Sequence, residues 1–368
     1  MKEVEESESS NERLRKISWL QRFLSKPEFG SFAGVLLTFT IFIIFAGDSG
    51  MFASDGAMTW IIVSSYLGVI AISACTLMIA GEFDLSIGSM IGFAGMMVAI
   101  PTKYWGWPMY ASIMFSISVA VSLGFVNGLI VVRTKLPSFI VTLAFLYILR
   151  GLCLTFSIIS TNRTIISGVG DLAKGDWLAP IFQAEVGQDL FKWLGKMDII
   201  ATNEGDPLVT GIPVICLWWV GLGIVMSFVL LKTRFGNWIF ASGGDAEAAK
   251  NVGVPVDRVK ILLFMFSAFC AAVFGICQVM DIGSAAADRG LLKEFEAIIA
   301  AVIGGTLLTG GYGSVVGACF GALIFGVVVQ GIFYTDIDSN WFRVFLGLML
   351  LIAVIFNNYI RRKVTEKK

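Results

Sequence analysis

Two carboxylates, Glu82 and Asp84, stand two residues apart between apolar runs at 60–80 and 87–100. A charge at bilayer depth costs roughly 2.5–3.5 kcal/mol on insertion scales, so a chain that keeps two there must satisfy them with water, a partner or a break in the backbone. Such groups can line or gate a path, hold a solute or couple to an ion. Ser86 and Ser89 follow at once, and Asn127 lies inside a later run, so the path or gate is assigned to Glu82, Asp84, Ser86, Ser89 and Asn127. Asp84 also stands where an N-cap for a helix over 85–100 belongs. Its role stays open between helix cap, gate and direct solute contact. Arg150, within another run, reads either as a structural partner for a carboxylate or as a solute contact.

Other chemistries find little to work with. The chain has no histidine, which removes imidazole catalysis, imidazole metal sites and imidazole proton relays. Its six cysteines all lie in apolar runs without metal-ligand spacing. Cys270 and Cys277 share a helix face and read as small core residues rather than a dithiol site. There is no Gly-x-x-x-x-Gly-Lys-Ser/Thr, so no nucleotide is hydrolysed through a phosphate loop. No catalytic residue, metal site or bound cofactor is expected, and zero net charge argues against a nucleic-acid partner.

The elements around these residues are built for lipid. The sequence is 57% hydrophobic and 15% charged, where globular chains are about 45–50% and about 25%. The apolar residues fall in long runs rather than alternating, which predicts an all-α polytopic protein and not a barrel. About ten spans are expected, near 30–46, 59–80, 86–100, 109–132, 138–160, 212–231, 259–280, 296–309, 314–333 and 342–358. The third and eighth are short for the roughly 17–25 residues of a span and are expected to be broken or re-entrant. With the N-terminus inside, the cytoplasmic segments hold eighteen Lys and Arg against eight outside. That bias puts both termini of a multi-pass protein in the cytoplasm. Residues 1–28 are a charged tail with an amphipathic helix at 13–24 that would rest on membrane lipid. No cleavable signal peptide is expected there. Residues 29–360 form the membrane domain, 161–210 its outer loop, 232–258 its inner loop, and 361–368 a cytoplasmic tail. In the outer loop, Phe191 and Trp193 suggest a short helix at the interface.

Within the inner loop, Gly243-Gly244 reads as a turn. Asp245 then caps a two-turn helix of strong helix formers that Gly253 ends. This helix is either a solvated connector or a knob for a cytoplasmic partner, with small Ala246, Ala248 and Ala249 allowing close approach. Gly88 and Gly92, and the series Gly313, Gly317 and Gly321, are spaced for close helix packing. Gly88-Ser89-x-x-Gly92 recurs as Gly313-Ser314-x-x-Gly317, either as a shared turn-to-helix geometry or by chance.

Three stretches resemble the ribose/xylose/galactose-type permeases of bacterial ATP-driven importers. Ala80-Gly81-Glu82-Phe83-Asp84-Leu85-Ser86-Ile87-Gly88-Ser89 is similar to that family's Gly-Gly-Ile-Asp-Leu-Ser-Val-Gly-Ser stretch. Gly243-Gly244-Asp245-Ala246-Glu247-Ala248-Ala249 through Gly253-Val254 resembles its cytoplasmic loop. Gly304-Gly305-Thr306-Leu307-Leu308-Thr309-Gly310-Gly311-Tyr312-Gly313-Ser314 resembles its Gly-rich C-terminal segment. Glu82, in place of an apolar residue or Gly, and Asp245, in place of Asn, depart from the pattern. The resemblance spans roughly residues 30–362 and implies a ten-span, type II importer permease with pseudo-symmetric halves. It also implies a second permease copy or a paralogue, an outer-face substrate-binding protein, and a cytoplasmic ATP-binding subunit that holds ATP and magnesium. Asp245, Ala246, Glu247, Ala248, Ala249 and Gly253 would then couple to that ATPase. The solute would be a monosaccharide or related polyol. Two rivals remain: an ion-coupled secondary transporter using Glu82 and Asp84, and a channel or receptor-like scaffold.

Overall fold

The computed structural model describes residues 27–203 and 206–335, with isolated positions from 338 to 355. The amphipathic helix expected at 13–24 and the tail at 361–368 lie outside the described residues, as does most of the tenth run. The fold is a bundle of apolar helices. In order these are α1 (Pro27–Ala46), α2 (Ser54–Ile79), α3 (Ile87–Tyr104), α4 (Met109–Thr134) and α5 (Ser138–Thr161). Then come strand β1 (Ile165–Ser167), helix α6 (Pro180–Gln183), strand β2 (Glu185–Val186), helix α7 (Gln188–Lys196) and strands β3 (Thr202–Asn203), β4 (Asp206–Pro207) and β5 (Ile212–Pro213). The second half holds α8 (Val214–Lys232), α9 (Arg234–Gly244), α10 (Ala246–Asn251), α11 (Val256–Ile282), β6 (Ser284–Ala286), α12 (Lys293–Ile303) and α13 (Val315–Phe333). Helix α7 is the short helix expected around Phe191 and Trp193. Seven helices among the described residues, α1, α2, α4, α5, α8, α11 and α13, are long and apolar enough to cross a bilayer.

Helix α3, the third run, is the centre of the bundle. Sixteen of its eighteen residues are buried, against α4, α5 and α11. It is continuous, not broken, because small residues let its neighbours close on it. Helices α3 and α11 run in the same direction: a Cβ at Gly275 would stand 2.4 Å from the Ile91 carbonyl oxygen, and one at Gly95 would stand 2.8 Å from Val279. Helix α13 runs against α2, with Gly313 at Ile79 and Gly326 at Ser64.

These pairings define two ends of the bundle. At the link end, residues 80–86 join α2 to α3. At the strand end, β1 pairs antiparallel with β6, Ile165 facing Ala286, and the Lys103 ammonium donates to the Ser167 carbonyl. The eighth run is led into by backbone that is not helical. The chain leaves β6, passes Gly290 without helix, and becomes helical only at Lys293. A Cβ at Gly290 would stand 1.8 Å from the Gly88 carbonyl oxygen, which puts this unwound stretch at the start of α3. Eleven residues of α12 cover about 16 Å, and Gly304-Gly305 ends the helix.

The packing glycines stand at close approaches. Gly88 and Gly92 meet Gly290 and Ala287, Gly313 meets Ile79, and Gly317 and Gly321 meet the carbonyls of Gly304 and Ala300. The echo between Ser89 and Ser314 is not a shared geometry. Ser314 is the N-cap of α13, accepting from the Gly317 amide at 3.3 Å, while Ser89 lies inside α3. The Gly243-Gly244 turn is also corrected: both glycines form the last turn of α9, an eleven-residue helix with Thr233 as its N-cap. Burial of Ile239 and Ser242 and close backbone packing at Gly243 outweigh the roughly 1 kcal/mol helix penalty of each glycine.

Candidate gating and coupling site

The link between α2 and α3 is built residue by residue. Gly81, with φ +82°, ends α2. Its amide donates to the Met78 carbonyl at 2.9 Å and the Glu82 amide to the Leu77 carbonyl at 3.1 Å, the paired bonds of a Schellman cap. The next free amides find side chains of α5: Phe83 donates to Ser138 Oγ and Leu85 to Thr142 Oγ1, both at 3.0 Å. Ser138 and Thr142 are four apart, so one face of α5 takes both.

Asp84, Ser86 and Asn127 come together, and all three are buried. Asp84 Oδ1 accepts from the Ser86 amide at 2.9 Å and from Ser86 Oγ at 2.5 Å. Its Oδ2 accepts from Ser267 Oγ of α11 at 2.7 Å. Asn127 Nδ2 of α4 donates to Ser86 Oγ at 3.0 Å. Asp84 is therefore a cross-brace rather than the N-cap of α3. The helix begins at Ile87 with Ser86 as its flanking residue, and Asp84 ties the link to two other helices. Glu82 is paired with Lys260 of α11, so the charge that departs from the family pattern has a partner. Ser89 takes no part: its hydroxyl is buried without a hydrogen bond.

Several members of this site escaped the sequence reading. Ser138, Thr142 and Ser267 are single hydroxyls in apolar runs, and only Lys260 carried a charge to match Glu82. Glu294, at the start of α12, is also buried, with Oε2 unpartnered. A Cβ on Gly88 would stand 2.0 Å from that oxygen. An acidic residue at the head of the eighth apolar run was the available signal.

The three family-like stretches meet below this network. The Gly311 amide donates to the Ile79 carbonyl at 2.8 Å. A Cβ on Gly243 would stand 1.8 Å from the same Ile79 oxygen, and one on Gly310 would stand 2.7 Å from the Gly243 oxygen and 3.0 Å from Gly81 Cα. Only glycine allows three backbones to touch in this way. Gly310 and Gly311, at φ +81° and +73°, also need its conformational freedom.

Helix α10 follows directly from that junction. Asp245 is its N-cap, accepting from the amides of Glu247 and Ala248 at 3.0 Å each. The helix is six residues long, shorter than the two turns expected, and Gly253 at φ +87° turns the chain back. Glu247, Ala248 and Val252 are exposed and Ala246 half-buried. Ala249 is 4% exposed, so it faces the chain and not a partner. Among the described residues no cluster of three or more Cys, Asp or Glu is placed to hold a metal ion.

The bundle holds seven helices of membrane-crossing length among the described residues, and the comparisons give its family. The family model for the permease component of branched-chain amino acid transport systems matches residues 56–354. The chain belongs to that family. It is 32% identical to the xylose transport system permease protein of Haemophilus influenzae, over 82% of this chain and 88% of that one. It is 30% identical to the fructose import permease protein of Rhizobium meliloti, over 93% and 89%. The xylose transport system permease protein of Escherichia coli is 28% identical over 92% and 97%. No solved structure gave a significant match. The chain is a multi-pass membrane permease and not an enzyme.

Proposed function

We propose that this chain is the membrane subunit of an ATP-driven importer that passes a monosaccharide or related polyol inward across the bacterial inner membrane. The observation that carries the reading is the glycine junction. It sets the α9–α10 hairpin against the end of α2 and the Gly310-Gly311 turn, one residue from the Glu82–Lys260 pair. A push on α10 would reach the link without an intervening flexible segment. The sugar class rests on near full-length similarity to permeases named for xylose and fructose. A cytoplasmic ATP-binding subunit, with ATP and magnesium, would supply the push. An outer-face binding protein would supply affinity, and a second permease copy or a paralogue the other wall of the path.

Ten spans with both termini in the cytoplasm fit this arrangement. Segments that such a count assigns to one side meet each other: residues 80–86 with 243–244 and 310–311, and β1 with β6. An ion-coupled carrier built on Glu82 and Asp84 has less in its favour, since Glu82 is paired and Asp84 has accepted three hydrogen bonds. The test is co-purification with the ATPase. Glu247→Arg together with Ala248→Arg, both at exposed positions, should abolish ATPase capture and sugar uptake while the chain remains in the membrane. Undiminished capture by this variant, or ion-driven uptake by the chain alone in liposomes, would overturn the reading.

A further inference from the structure

The stretch that leads into the eighth run is unwound. Between β6 and α12 the chain crosses residues 287–292 without helix, and Leu292 takes the left-handed conformation at φ +66°. Irregular backbone at membrane depth survives only where protein buries it or where it lines a polar cavity. Here it lines one. A cavity of about 290 Å³ lies between this stretch, β1 and α5, walled by Arg150, Leu154, Thr164, Ile165, Ala287, Asp288 and Leu291.

Arg150 is the telling member. It stands eight residues beyond Thr142 on α5, about 12 Å along the helix from the link. Its Nε is buried and has no hydrogen-bond partner. Among the described residues the guanidinium has no ion pair, although Glu294 lies in its electrostatic neighbourhood and Asp288 lines the same cleft. A guanidinium offers five donors in a fixed fork, and leaving the buried Nε–H of Arg150 unmet is expensive. The Asp288 carboxylate is exposed at the same cavity and also free of an ion pair among the described residues.

We propose that this cavity is a transit subsite for the transported solute, and that its occupant is a neutral polyol of monosaccharide size. Arg150 donates to solute hydroxyl oxygens, Asp288 accepts from solute hydroxyls, and Thr164 can do either. A lone anion would meet repulsion from Asp288 and a lone cation from Arg150, whereas each hydroxyl of a polyol both donates and accepts. The volume sits at the lower edge of the roughly 300–1,000 Å³ of small-molecule sites, which admits one small solute and no oligosaccharide. The proposal rests on the importer reading above and adds the residues that touch the solute.

The experiment measures uptake of radiolabelled xylose, ribose and fructose, with leucine in parallel, by membranes carrying the full chain with its ATPase and binding protein. Sugar uptake by the unmutated complex is expected. Leucine uptake without sugar uptake would overturn the sugar class and with it the proposed occupant. Where sugar moves, Arg150→Gln should lower uptake about tenfold, the loss of a charged hydrogen bond, at unchanged chain abundance. Arg150→Lys should restore part of it. Leu291→Trp, at an exposed rim position, should obstruct the cavity and lower uptake even if Arg150→Gln fails to assemble. Asp288→Asn should change the preference among the three sugars, which a purely structural residue would not do. Sugar uptake within twofold of the unmutated complex in both Leu291→Trp and Asp288→Asn would overturn the subsite while leaving the importer reading intact.

Discussion

Asp84 accepts three hydrogen bonds from buried donors, and that count decides what its replacement does. Asparagine keeps an oxygen for the Ser86 amide and hydroxyl, and the Ser267 hydroxyl can turn to accept from the new amide. Asp84→Asn is therefore expected to keep sugar uptake within about threefold, a change under ~1 kcal/mol. Asp84→Ala strands the Ser86 amide and two hydroxyls, each a loss of about 1–3 kcal/mol. It should lower the unfolding temperature in detergent and abolish uptake. Equal loss in the Asn and Ala variants would show that charge itself, and not hydrogen bonding, is what the site needs. The Glu82–Lys260 pair lends itself to a double-mutant cycle. Both side chains are mostly buried, so removing one charge leaves the other unmet. Glu82→Gln or Lys260→Met should each destabilise by about 2–3 kcal/mol, somewhat under the roughly 3–5 of a fully buried pair. The double variant should cost less than the sum of the two. Additive losses in chemical denaturation would mean that the pair does not couple.

At the scale of elements, adjacent glycines make opposite predictions. A Cβ on Gly243 collides with the Ile79 carbonyl, while one on Gly244 meets nothing within 4 Å. Gly243→Ala should part α9 from α2 and uncouple ATP hydrolysis from uptake. Gly244→Ala should be silent or stabilise by about 0.5–1 kcal/mol, the usual gain in a helix. Helix α10 depends on its cap: Asp245→Ala should cost about 1 kcal/mol and weaken ATPase capture, and Asp245→Asn should not, since asparagine caps equally well. Thermal melts and pull-downs of the four variants check both statements. Sequence periodicity alone missed α9, because its glycines read as a turn when nothing indicates what packs against them.

For the whole molecule, the ten-span reading makes a prediction about sides. A tag within 165–203 should be reached only from outside, and tags at residue 254 and at 368 only from inside. A tag at 254 accessible together with one at 165–203 would sink it. The structure explains why the third and eighth runs looked doubtful. The third is short in apolar residues because it is sheathed by protein rather than lipid, so small residues serve it better than a long apolar stretch. The eighth is short because its helix, Lys293–Ile303, is flanked on both sides by non-helical backbone.

What the sequence determined by itself was whatever depends on local composition. Long apolar runs, the excess of basic residues on alternate loops, the Asp245 cap and the glycine spacings are properties of neighbouring residues, and they predicted a polytopic helical membrane protein; the permease class followed from the resemblance of three stretches to a known family. The presence of the polar site was also legible, since Glu82 and Asp84 are conspicuous between apolar runs. Its wiring was not. Glu82 finds Lys260 at a separation of 178 residues and Asp84 finds Ser267 at 183. A hydroxyl in an apolar run gives no sign of which way it points. The meeting of Gly81, Gly243 and Gly310 likewise depends on backbones from three distant segments sharing one spot. Only the tertiary structure decided that Asp84 ties the link to two other helices instead of capping one, because hydrogen bonds inside a bundle are set by how helices pack and not by the order of residues along them.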